Sequence, residues 1–462
     1  MNSDFDSNVF SSSDLDELRR RVRGAVHGPA DPDYPTVGFN VALERHPAAV
    51  VDAADAADIA ATVRFAAAHG MTVGVFATGH GGTPVGSRSI LVRTTALDTC
   101  DVDPEQRTAR IGAGVRWQSV LDAAVPHGLA PLCGSAPTVG VVGYLSGAGI
   151  GPLVRTVGSS ADHIRSMTVV TGDGTLVTAT ADENPELFWG LRGGKGTLGI
   201  ITEAVIEMPA IAEIYGGALY FDGADAVRVL RAWRDWAAGL PDEASTSLAL
   251  LNLPAMPQVP PMLAGKLTVA VRYASVADAE TAAAVLGPIR ELAQPLLDAV
   301  GPMPYAAVGA IHADPPGPMP VRERGGLLAA LPDEAVDVIV GAVTSPVAPL
   351  LPVVEIRALG GVYAREPRVR SALCHRDAPF NLNMVGVLAD EQAAAAVTGV
   401  VDGALAALEP WMTGATLPNF VASDDPARVR ASYDEDTAAW LAALADRLDP
   451  HGVFRVGQVV RS

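Results

Sequence analysis

At 462 residues the chain has length for two to four domains of ~100–200 residues each, and it can bury a core without disulfide or metal staples. Hydrophobic residues at 49% against charged ones at 18%, with Gly (46) and Pro (35) below the share seen in low-complexity chains, exclude a disordered tract. A formal charge of −19 opposes a phosphate backbone and argues against a nucleic-acid partner.

From Met1 to Leu18 the chain is polar and acidic and lacks the basic and apolar regions of a secretory signal. Cys100, Cys133 and Cys374 are too few and too scattered for a disulfide framework or a metal knuckle, so a reducing, cytoplasmic setting is expected. Ala48 to Val51, Asp55 to His69 and Val73 to Phe76 read as strand, helix and strand. Ser89 to Thr94 and Thr108 to Val115 follow as strands and Trp117 to His127 as a helix. Met167 to Thr178 reads as a hairpin turning at Gly172-Asp173-Gly174. Asn184-Pro185-Glu186 carries a helix-start signature, and Ile200 to Met208 is a β-rich run.

After Pro209 the pattern changes, and a second domain is expected from about residue 211. It offers helices at Asp225 to Ala238, Asp278 to Leu292 and Asp390 to Ala407, and strands near Ser247 to Leu253, Lys266 to Ala274, Val353 to Arg365 and Phe380 to Leu388. Pro346, Pro349 and Pro352 break the longest near-apolar run, Val338 to Val354, so no segment reads as membrane-spanning. The expected class is α+β.

Several motifs fail on context. Gly194-Lys195-Gly196-Thr197-Leu198-Gly199 fits GxGxxG, but a helix precedes it and a strand follows, the reverse of a dinucleotide fingerprint. The same Lys195 is followed by Gly196 where a P-loop needs Ser or Thr. Tyr144 stands where a nucleophile elbow at Ser146 needs Gly, and no His pair has metal-ligand spacing, so neither hydrolase nor metal chemistry is expected.

Phe76-Ala77-Thr78-Gly79-His80-Gly81-Gly82 runs from a strand into a glycine-rich turn whose N–H groups can cradle a diphosphate. A second glycine-rich stretch runs from Gly134-Ser135-Ala136-Pro137-Thr138-Val139-Gly140 through Gly143 and Tyr144 to Gly147-Ala148-Gly149-Ile150-Gly151. Each alone is also what an ordinary turn looks like. With only Lys195 and Lys266 in the chain, an anion is expected on Arg or on backbone N–H groups.

Together with Asn184-Pro185-Glu186-Leu187-Phe188-Trp189, Gly199-Ile200-Ile201-Thr202, Glu355-Ile356-Arg357-Ala358-Leu359-Gly360-Gly361, His375-Arg376-Asp377-Ala378 and Pro418-Asn419-Phe420, these segments resemble the vanillyl-alcohol-oxidase superfamily, in its berberine-bridge-enzyme-like branch. The resemblance implies a PCMH-type FAD-binding domain over residues 1–210, a substrate domain with an antiparallel sheet flanked by helices over 211–412, and a 413–462 segment returning to the first domain. It implies that His80 bonds covalently to the flavin, with Ala77, Thr78, Gly79, Gly81, Gly82, Ser135, Pro137, Thr138, Gly140, Gly143, Tyr144, Gly147, Gly149, Gly199, Ile200, Ile201 and Asn419 around the cofactor. Bicovalent relatives carry a cysteine where this chain has Ala136, and Cys133 lies three positions earlier, so a single tether is expected. The residue before the first glycine turn, Arg or polar in relatives, is Phe76-Ala77 here.

The resemblance further implies transfer of hydride from a C–H of a small alcohol, hemiacetal, amine or phenol to flavin N5. Reoxidation by O₂ to H₂O₂ would follow, in specialised metabolism. Glu355 and Arg357 share one strand face and Asn381 and Asn383 another, so each pair can line a pocket, the alternatives being a solvated face or an internal Glu355–Arg357 ion pair. Tyr363 and His375 are candidate general bases, and Glu355, Asn383 and Asn419 complete the expected catalytic set.

Overall fold

The computed structural model describes residues 10–462 apart from 33, 35 and 422; the first nine residues of the expected 1–210 domain lie outside it. Three parallel strands open the first domain: Ser89–Arg93 sits between Ala49–Asp52 and Thr72–Phe76, with the short Val26–His27 antiparallel at the edge. The crossover between Ala49–Asp52 and Thr72–Phe76 is the helix Ala56–Ala68. The Asp55 carboxylate starts it by accepting from the Ala57 and Asp58 N–H groups, and it buries Ile59, Val63, Phe65 and Ala66. A second, antiparallel sheet follows in the order Cys100–Asp103, Thr108–Gly112, Ile200–Glu207, Ile164–Val170, Leu176–Thr180. The Gly172-Asp173-Gly174 turn joins its last two strands, with Asp173 accepting from the Thr175 N–H. Asn184 does precede a helix, Pro185–Leu191, but adopts a left-handed conformation and caps nothing with its side chain.

The third sheet has eight antiparallel strands. Glu213–Asp222, Leu267–Ser275, Ala244–Asn252, Val353–Ala358, Phe380–Val387 and Val321–Leu328 lie side by side, with Leu297–Asp298 and Gly301–Pro304 both paired to Glu213–Asp222. Period-two alternation divides its faces. Leu248, Leu250, Val269, Val271, Val354, Ile356, Leu382 and Met384 point to one side, into a core closed by the helices Ala226–Ala237, Ala279–Arg290, Asp333–Val343 and Glu391–Leu408. Ser247, Arg272, Glu355, Arg357, Asn381 and Asn383 therefore point to the other, toward the first domain.

Four strands and one helix here escape the sequence patterns, among them the short Leu297–Asp298 and Gly301–Pro304. Glu213–Asp222 is weakened by Gly216 and Gly217, and Val321–Leu328 opens on alternating charges. The three prolines after Thr344 fall in the connection behind the helix Asp333–Val343 and do not interrupt it. By length and composition the span Glu391–Trp411 could cross a membrane, contrary to the sequence reading; here it lays Val397, Val401 and Leu408 on the sheet.

The C-terminal segment packs on the first domain. Helix Glu435–Leu448 buries Leu441, Ala442 and Ala445, with Leu441 against Gly190 and Gly194, and Val453 and Phe454 join the core of the parallel sheet. The carbonyl of Val453 accepts from the Val73 N–H at 2.8 Å.

Candidate active site

The strand Thr72–Phe76 runs directly into the first glycine turn. Gly79 has φ +73°, and a Cβ there would stand 2.8 Å from the Cα of Gly38, so the close approach of the 36–41 loop requires glycine. That loop donates the Phe39 N–H to the Thr78 carbonyl at 3.1 Å. His80 lies stacked on the Phe39 ring at 4.0 Å between centroids, with Nδ1 2.9 Å from Thr78 Oγ1 and a buried Nε2 that has no hydrogen-bond partner. Burial, with a smaller contribution from Arg116, lowers its pKa to about 4 against an opposing pull from Asp314. The imidazole is therefore neutral near pH 7 and keeps a free lone pair.

A cation sits beneath this turn. Arg45, 5% exposed, stacks over Phe76 at 5.8 Å and donates Nη1 to the Thr36 carbonyl at 3.2 Å. Its Nη2 packs against Gly82 and is buried without a partner among the described residues. A buried guanidinium with no acid beside it is costly unless an anion arrives. No motif marked Arg45, because it reaches the turn from a loop more than thirty residues upstream.

The second glycine segment meets the first at Gly140, where an added Cβ would touch Ala77 and Thr78 at 3.6 Å. Its loop is pinned by the Gln118 and Trp117 N–H groups, which donate to the Pro137 and Val139 carbonyls at 2.8 and 3.0 Å. Thr138 Oγ1 is buried without a partner, and open space surrounds both Gly81 and Gly143 where a side chain would begin. Ser135, Ala136, Pro137 and Thr138 line an open cavity with Ala307 and Asp314 of the second domain. Behind it, Gly149 backs the Tyr144 ring, which stands edge-on to Trp117 at 5.6 Å. After Gly199 the strand pairs Ile200 with Val170 and Ile201 with Val169, whereas Thr108–Gly112 joins it only from Glu203 onward. The outer backbone edge of Ile200 and Ile201 thus has no strand partner, and their side chains are core. Cys133 is buried, with its thiol pushed up to about 12 by burial.

The polar sheet face holds one connected cluster. Glu355 Oε1 accepts from Arg272 Nη1 at 2.6 Å and Ser247 Oγ at 2.9 Å, and Oε2 accepts from Arg357 Nε at 2.8 Å. Burial alone would raise the Glu355 pKa, but Arg357 and Arg272 hold it well below the usual carboxylate range. His312 Nε2 lies 3.2 Å from Glu355 Oε1 without the alignment of a hydrogen bond, and both its ring nitrogens stay unsatisfied. Both amide atoms of Asn381 and Oδ1 of Asn383 are buried without partners. Beside Asn383 stands Glu323, whose carboxyl burial raises above its ordinary range. Asp314 acts electrostatically on His80, Glu323 and Arg357 alike, which places the three around one opening.

Three expected catalytic residues stand elsewhere or act differently. Tyr363 is fully buried under Arg376, 5.4 Å from its ring, in the neighbourhood of the Arg376–Asp162 ion pair, and burial drives its pKa upward. His375, at φ +59°, has Asp434 and Asp377 as its charged neighbours. Among the described residues neither makes a hydrogen bond or ion pair with the sheet-face cluster, and Tyr363 Oη and His375 Nε2 are buried without partners. Asn419 spends both ends of its amide on the protein: Nδ2 donates to the Tyr144 carbonyl at 2.9 Å and Oδ1 accepts from Lys195 Nζ. It braces the second glycine segment, where a Cβ on Gly147 would strike Asn419 and Lys195 together.

Residues 47–180, which hold both glycine segments, match the FAD binding domain family. This part of the chain is similar to FAD binding domains, and the match covers less than a third of the whole. The (R)-6-hydroxynicotine oxidase of Paenarthrobacter nicotinovorans is 30% identical over 192 residues, 40% of this chain and 42% of that protein, so the match spans less than half of the relative's length. In three dimensions, 6-hydroxy-D-nicotine oxidase from Arthrobacter nicotinovorans superposes with TM-score 0.82 at 22% identity, covering 95% of this chain and 98% of that one. Xylooligosaccharide oxidase from Myceliophthora thermophila gives TM-score 0.82 at 20% identity, covering 97% and 99%. The chain shares its two-domain fold with both. Glycine cradles with open space, an unpaired buried cation and unsatisfied donors beside them are what an FAD would fill.

Proposed function

We propose that the protein is an FAD-dependent oxidase that turns a C–H bond beside an O–H or N–H group of a small organic molecule into C=O or C=N. Two electrons and two protons leave the substrate, and O₂ takes them up as H₂O₂. The observation that carries this reading is the neutral, unpartnered imidazole of His80, beside the meeting point of two glycine cradles and within electrostatic reach of Asp314 of the second domain. Bound FAD would supply the two-electron acceptor.

Arg45 and the N–H groups of residues 78–82 would hold the diphosphate, and the free edge of Ile200 and Ile201 the ring system. His80, whose Nε2 has no hydrogen-bond partner, would be the residue that tethers the flavin, and Ala136 with the buried Cys133 would offer no second tether. Glu323 takes the role expected of Tyr363 and His375: a carboxyl with a raised pKa beside Asn383 suits removal of the heteroatom proton. Asn381 and Asn383 offer donors and acceptors to orient the substrate.

Acid-precipitated protein is expected to stay yellow, and His80→Ala protein to release its colour into the supernatant. Attachment should still proceed at pH 5.5, where an imidazole of ordinary pKa would be about nine-tenths protonated. Dithionite-reduced protein mixed with air in a stopped-flow instrument should reoxidise fast with stoichiometric H₂O₂; slow reoxidation would assign the electrons to another acceptor.

A further inference from the structure

A narrow cavity on the polar sheet face is lined by Gly151, Pro152, Ser245, Thr246, Ser247, Arg272, His312 and Arg357 among others, and no carboxylate is among its lining residues. Its polar wall is made mainly of donors. The Nη2 of Arg357 makes no hydrogen bond among the described residues; Nε is spent on Glu355, and Nη1 donates to the Ile150 carbonyl at 3.3 Å. Arg272 Nε is likewise uncommitted, since Nη1 goes to Glu355 and Nη2 to the His312 carbonyl. The Ser245 oxygen accepts from the Arg155 N–H, which leaves its hydroxyl hydrogen free. His312, 8% exposed, has Nε2 3.2 Å from Glu355 Oε1, while its Nδ1 is buried without a partner.

Charge points the same way. Arg272 and Arg357 share one carboxylate, Glu355. Glu323 forms no ion pair with either arginine, and Asp314 is exposed at the rim. Burial and the nearby guanidinium lower the His312 pKa, so that ring adds no charge of its own. Two buried guanidinium groups on one acid leave a positive excess in a low-dielectric wall, which a second anion would neutralise.

Resting on the oxidase reading above, we propose that the substrate carries a carboxylate, which seats between Arg357 and Arg272 with Ser245 and His312 as further donors. A planar guanidinium matches a carboxylate in charge and geometry. Arg357 also reaches the Ile150 carbonyl and stacks 5.5 Å from the Phe420 ring, so an anion held there lies next to the second glycine cradle.

The test uses the FAD-loaded full chain and follows the flavin absorbance during titration with benzoate, phenylacetate and 3-phenylpropionate, each beside its primary amide. At least one carboxylate is expected to perturb the spectrum and to bind tenfold or more tighter than its amide. Arg357→Met should erase that preference, and Arg357→Lys, which keeps the charge, should retain part of it. Yellow protein on which no carboxylate outbinds its amide, or on which Arg357→Met leaves the preference intact, overturns the carboxylate site and leaves the oxidase reading standing. If Arg357→Met fails to fold, the carboxylate-to-amide ratio on the unaltered chain still decides. Colourless protein that takes up no FAD would instead remove the reading on which the site rests.

Discussion

His80 and Arg45 meet the same glycine turn from different distances in sequence, and they differ in how they could be found. His80 lies inside its motif, so residue type and neighbours sufficed. Arg45 becomes a neighbour of Gly82 only after the 36–48 loop folds back, which no local pattern encodes. The missing polar residue ahead of the turn, Phe76, is covered by that same guanidinium stacked on its ring. Arg45→Met is expected to weaken FAD binding at least tenfold, since a charge-assisted hydrogen bond to a phosphate is worth about 1.5–3 kcal/mol. The measurement is calorimetric titration of apo protein with FAD in the His80→Ala background, where no tether hides the equilibrium. An unchanged Kd would show that backbone N–H groups alone hold the diphosphate. Tyr363 and His375 illustrate the opposite case: their chemistry suggested a base, but only burial and partners decide whether a side chain can reach substrate.

At the level of the strand, alternation made the shared face of Glu355 and Arg357 legible, along with that of Asn381 and Asn383. It could not say that the registers Ser247 to Arg357, Arg272 to Ser247 and Glu355 to Asn383 would put all of them on one surface. Nor did it show Glu323, because Val321–Leu328 carries glycine and charge where a strand usually carries branched apolar residues. The sequence reading allowed an internal Glu355–Arg357 pair or a pocket wall, and the structure contains both: the pair exists, and its spare donor faces the cavity. Glu355→Gln removes the one negative charge between two buried arginines. Stability is expected to fall by about 3 kcal/mol, the usual scale for breaking a buried ion pair from one side. Urea unfolding with an unchanged m-value would report it; a loss under ~1 kcal/mol would mean that solvent reaches the cluster freely.

Over the whole chain, catalysis on this plan requires two domains held in fixed register, since the glycine cradles and the polar sheet come from different halves. Two arginines, one from each domain, make that join without relying on apolar area. Arg376 pairs with Asp162 at 2.6 and 3.0 Å across it. Arg155, 7% exposed, forms no ion pair among the described residues and donates Nε, Nη1 and Nη2 to the carbonyls of Ala244, Leu359 and Leu240 at 3.2, 2.5 and 2.9 Å. Burial lowers its pKa, but a guanidinium stays charged at any ordinary pH, so three helix- and strand-end carbonyls of the second domain depend on one side chain of the first. Arg155→Met keeps the apolar stem and strands those carbonyls in a buried interface, at a cost of roughly 1–3 kcal/mol for each that water cannot reach. Scanning calorimetry of the FAD-free protein is expected to show the second domain unfolding at a lower temperature than the first, as a separate transition. A single transition at the original temperature would mean that the packing around Gly361 and Tyr305 holds the halves together unaided.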